Sequence, residues 1–143
     1  MIPEPNQALQ VMMGTLAMEI AVSMGDDYRQ ANVNLLAFAA MLIAQEYDRA
    51  AEVRSVENCE MRALFGRAAG AVHDVELRAR LTAAAGGSDP DLRVSQLTAT
   101  NNELRRLLIE LHAAVEEHEA AGVARWVWAF LRRAAERRAI QLG

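Results

Sequence analysis

Residues 35–44, LLAFAAMLIA, form ten apolar positions in succession, and two asparagines, Asn32 and Asn34, stand just inside the start of the segment that contains them. A helix apolar on nearly every side must be enclosed by other helices. The run therefore constrains architecture more than any other part of the chain. Alanine is abundant and aromatic residues make up only 5% of the sequence, which favours close helix packing over a sheet built from β-branched residues. The expectation is an all-α fold: one domain over residues 1–143, a largely antiparallel bundle of five to six helices.

The periodicity places the elements. Asn6 is a good cap after Pro3 and Pro5, and a first helix follows to Gly25 with Leu9, Met12, Met13, Leu16 and Ile20 on one stripe. Asp26 or Asp27 caps a second helix from Tyr28 to about Val53. A third begins near Ser55, with Met61, Leu64, Phe65 and Ala68 sharing a face and Gly66 and Gly70 weakening it. A shorter helix passes through Val75, Leu77 and Leu81 and ends at the paired glycines of AAAGGSDPD, where Ser88 would cap the next helix and Pro90 would sit in its first turn. The long helix from Asp91 to Ala121 carries Leu97, Asn101, Leu104, Leu108, Leu111 and Val115 at alternating steps of four and three, a seam suited to shallow antiparallel packing. A last helix follows Gly122.

Asn32 and Asn34 fall on diverging faces, so at least one is expected to face protein. An unsatisfied buried amide costs about 1–3 kcal/mol, and Asn101 and Asn102 are the expected partners.

Few features carry chemistry. Cys59 lies between Glu57 and Glu60, which would raise its pKa and blunt it as a nucleophile, so it reads as a small buried hydrophobe. Glu57 and Glu60, like Glu116 and Glu119, lie three apart on one helix face, and His112 precedes Glu116 by one turn. His112, Glu116, Glu119, Glu57 and Glu60 are the candidate metal ligands. Their spacing does not match the Glu-x-x-His pairs of di-iron bundles. There is no phosphate-binding glycine loop and no nucleophile elbow, and His73 sits at a helix junction. The balance leans away from an enzyme, and no cofactor is expected.

Charge separates the last helix from the rest. Five arginines against Glu136 give it +4, while residues 1–123 carry −8. Arg132, Arg133 and Arg137 are candidate anion contacts, with pairing to Glu116, Glu117 and Glu119 as the simpler role. The overall net charge of −4 argues against nucleic-acid binding. No apolar run approaches the ~20 residues of a membrane span, which points to a cytoplasmic protein. The absence of lysine among fifteen basic residues suggests GC-rich bacterial coding.

Two helices apolar all round leave more apolar surface than one bundle hides. Val11, Met12, Met18, Val22, Asn34 and Phe38 are the candidate interface of a homodimer.

QANVNLLAFAAMLIAQEY, then an acidic and arginine-rich third helix, DLRVSQLTATNNELRRLLIEL and a basic last helix together resemble a small uncharacterised bacterial all-helical family. Its genes accompany aminoglycoside-phosphotransferase-like and acyl-CoA-dehydrogenase-like enzymes. The resemblance runs from about Tyr28 onward and rests on the helix pattern, Asn34 and the stretch from Asp91–Leu92 to Asn102. It supplies no catalytic residues. It implies an accessory or interaction subunit for a partner enzyme of the acyl-CoA or phosphotransfer kind.

Overall fold

A computed structural model describes residues 4–117 and 121–140, and among these every regular element is helical. Helix α1 (Pro5–Gly14) continues through a π-helical segment, Thr15–Ile20, into one further α-turn, Ala21–Ser23. Its start differs from the cap expected at Asn6. Pro5 is the first helical residue and Glu4 precedes it, which suits proline because the first amide of a helix has no intrahelical partner. The π segment is marked by the amide of Ala21 reaching back five residues to the Leu16 carbonyl.

Helix α2 runs unbroken over Asp27–Ala68. The sequence reading divided this stretch near residue 53, but no proline or glycine lies there and the backbone has no reason to stop. Asp26 caps it, its carboxylate accepting from the amides of Tyr28 (2.9 Å) and Arg29 (3.1 Å). Helix α3 (Val75–Ala85) is capped in the same way by Asp74, which accepts from Glu76 and Leu77. Helix α4 spans Val94–Glu117 and α5 spans Ala121–Arg138. The start of α4 is three residues later than expected, so Ser88 and Pro90 belong to the loop. Asp89 holds that loop, accepting from Arg62 (2.8 Å) and Asn58 (3.0 Å).

The described residues gather into two compact units, 4–50 with 140, and 51–117 with 121–139. In the second unit, Met61, Leu64, Phe65, Leu81, Leu104, Leu111, Val127 and Phe130 form one apolar core. The α4 seam read from sequence is buried as expected, from Leu97 through Asn101, Leu104, Leu108 and Leu111 to Val115. Helices α4 and α5 run antiparallel, since Arg105 from the middle of α4 and Arg138 from the end of α5 reach the same carboxylate. Cys59 is exposed, which corrects its reading as a buried hydrophobe.

The first unit is built differently. Helix α1 and the first half of α2 flank a groove of about 620 Å³ lined by Asn6, Gln10 and Met13 on one side and Met41, Ala44, Gln45, Asp48 and Arg49 on the other. Every buried residue described in this unit is an alanine: Ala21, Ala37, Ala40, Ala44 and Ala50. Of its described large apolar side chains, Leu9, Met13, Leu16, Met24, Val33, Met41 and Leu42 are half-buried and the others are exposed. No helix among the described residues is long and apolar enough to cross a membrane.

Candidate functional site

The most elaborate side-chain arrangement lies in the second unit, around Glu57. Extending the stripe of Met61, Leu64 and Phe65 back by one turn of α2 brings Glu57 and Asn58 onto the core side, and both are fully buried. A buried carboxylate must be paired and hydrogen-bonded. Arg138 donates to both of its oxygens, from Nε at 2.7 Å and a terminal nitrogen at 2.8 Å. Arg105 (2.9 Å) and the Asn101 amide (3.1 Å) donate to the same oxygen as the Arg138 terminal nitrogen. Burial pushes the Glu57 carboxyl up, but the arginine and asparagine donors outweigh it and hold its pKa down from 4.5 to about 2.

Asn101 completes the network. Its amide also donates to the Asn58 side chain at 2.9 Å, and its carbonyl oxygen accepts from Arg105 at 2.9 Å. Asn58 in turn donates to Asp89 and to the Leu97 carbonyl. The sequence reading expected a buried Asn32 or Asn34 paired with Asn101 or Asn102; the structure instead pairs the buried Asn101 with Asn58. Asn32, Asn34 and Asn102 are exposed. Asn58 was missed, although its place on the extended core stripe was the signal that could have found it.

One turn beyond Glu57, Glu60 accepts from Arg133 (3.4 Å) and from Arg137. The arginines of α5 thus pair with Glu57 and Glu60 on α2, where the sequence reading matched them with Glu116, Glu117 and Glu119. Arg132 is exposed. Of the remaining metal candidates, Glu119 lies outside the described residues. His112 Nε2 comes within 3.4 Å of a Glu116 oxygen, an ion-pair distance without hydrogen-bond alignment, and no described residue offers that buried nitrogen a hydrogen bond. His112 instead meets the edge of Trp128, ring centres 5.4 Å apart, while Arg67 lies 4.7 Å over the Trp126 ring. The structure brings His112 together with Glu116, and Glu57 with Glu60 onto one face of α2. Among the described residues, no three His, Cys, Asp or Glu side chains converge as a metal site would require.

In the first unit, the residues expected to face a partner are all exposed: Val11 (69%), Met12 (56%), Met18 (76%), Val22 (69%) and Phe38 (44%), with Asn34 beside them in the sequence of α2. No family model, curated protein or solved structure matches the chain, so its functional reading rests on its own residues.

Proposed function

We propose that this protein is a non-catalytic interaction subunit that self-associates as a homodimer through its first two helices. The observation that carries the reading is the packing of the first unit, where every buried residue described is an alanine and eleven large apolar side chains of its two helices are exposed. A monomer rarely leaves an apolar patch beyond roughly 300–600 Å² uncovered. At roughly 100 Å² for each side chain, the eleven offer about 1,000 Å², more than the ~800 Å² each partner contributes to a standard interface. A second copy supplies the same apolar residues, and a twofold interface requires that self-complementarity.

The resemblance noted in the sequence extends the proposal to an accessory role beside an acyl-CoA or phosphotransfer enzyme in a bacterial cytoplasm. Sedimentation velocity at micromolar concentration tests the association. A dimer that Val11→Glu with Met18→Glu converts to a helical monomer supports the reading. A wild-type chain that sediments as a monomer defeats it.

A further inference from the structure

The groove in the first unit opens where both of its helices mix polar with apolar residues along one face. Asn6, Gln10 and Met13 follow steps of four and three on α1, and Met41, Ala44, Gln45 and Asp48 recur at the same steps on α2, so each set shares a helix face. Helices that pack along their whole length present apolar residues at such positions. Here carboxamides interrupt the methionines, the two faces do not close on one another, and about 620 Å³ is left between them. That volume falls within the roughly 300–1,000 Å³ of small-molecule sites, which likewise combine an apolar wall with a few polar groups.

The lining restricts what fits. Met13, Met41 and Ala44 supply the apolar wall, and the unbranched thioether side chains of the two methionines adjust to an irregular apolar body. Asn6 and Gln10 each carry a carboxamide, which donates and accepts at once and so complements an uncharged amide or hydroxyl group. Asp48 and Arg49 bring one charge of each sign, so the lining carries no net charge to offset the desolvation of an ionised head group.

We infer that this groove binds a small uncharged amphiphile, with its apolar chain along Met13, Met41 and Ala44 and its amide or hydroxyl head against Asn6 and Gln10. None of the lining residues is among the side chains proposed to meet a second copy of the chain, so the site does not rest on self-association.

The test is an NMR titration of the full chain, carrying isotope-labelled methionine ε-methyl groups, with octanamide, octanol, octanoate and octylammonium. These probes share one chain and differ only in the head group. Saturable shifts of the Met13 and Met41 methyls are expected with the uncharged probes, while Met12 and Met18, which are exposed and do not line the groove, stay unmoved. The tighter of octanamide and octanol identifies the head group as amide or hydroxyl. Each charged probe should bind at least about threefold more weakly than that one. Gln10→Leu, at an exposed position, should weaken the better uncharged probe by about threefold or more without loss of helical content in circular dichroism. If that variant loses structure, the ranking of the probes on the wild-type chain decides the matter. Equal affinity for charged and uncharged probes, tighter binding of a charged one, or linear shifts shared by Met12 and Met18 would overturn the inference.

Discussion

Replacing Glu57 with glutamine keeps the shape of the buried side chain and removes its charge, so it isolates what the two arginines gain from the carboxylate. The pKa of Glu57 falls from 4.5 to about 2 on folding. Converted at ~1.36 kcal/mol per pH unit, that difference gives about 3 kcal/mol of stability at neutral pH. Because the folded pKa is the lower one, the contribution is fully present above about pH 5 and disappears as pH falls from 4.5 through 2. Arg105 and Arg138 keep access to water, which holds the loss toward the lower end of what breaking a buried ion pair costs. Urea unfolding followed by circular dichroism should therefore show Glu57→Gln about 3 kcal/mol less stable than wild type at pH 7. With slopes of roughly 1–3 kcal/mol/M this moves the midpoint by roughly 1–3 M. The gap should persist at pH 5, halve near pH 3 and nearly close at pH 2. A loss under ~1 kcal/mol at pH 7, or a gap of constant size across that range, would refute the assignment of Glu57 as an ionised, arginine-held carboxylate.

Phe130→Ala empties a fully buried site in the core of the second unit and should cost about 3–5 kcal/mol in the same unfolding assay. Asp74→Ala removes the cap of α3 and should cost about 1 kcal/mol, with Asp74→Asn recovering most of it. Glu110→Gln breaks a two-pronged contact with Arg80 that lies in open solvent, and the unfolding midpoint should stay where it is, because water screens such pairs. Val22→Glu should lower the dimer fraction in light scattering without reducing helical content, since the Val22 side chain is exposed in the single chain.

Helical content, the α4 seam and the Asp26 cap were legible because each rests on local pattern: period, spacing and a side chain beside its own helix start. The junction assumed near Val53 was not a break, since a polar residue such as Ser55 does not stop a helix that its neighbours sustain. The arginine partners were not legible. Arg138 and Glu57 are 81 positions apart, and nothing local distinguishes Glu57 from Glu116 as an acceptor. The faces of α1 were misleading for another reason. A π-helical segment adds residues to the turn, so Ile20, placed by a 3.6-residue period on the stripe of Leu9, Met13 and Leu16, is exposed where those three are half-buried; Met12, ahead of that segment, is exposed as well. For the first unit as a whole, an apolar run was correctly read as needing cover on several sides, but the run could not show that alanines take the inner positions and larger residues the outer ones.

A second copy of the chain is proposed to cover the exposed apolar side chains of the first unit. Native mass spectrometry of protein purified without added metal or chelator, compared with the denatured mass, tests it most directly because subunit number and retained cargo appear in one spectrum. A dimer of bare chains is predicted, shifting to monomer in Val11→Glu with Met18→Glu. A wild-type monomer would contradict the claim.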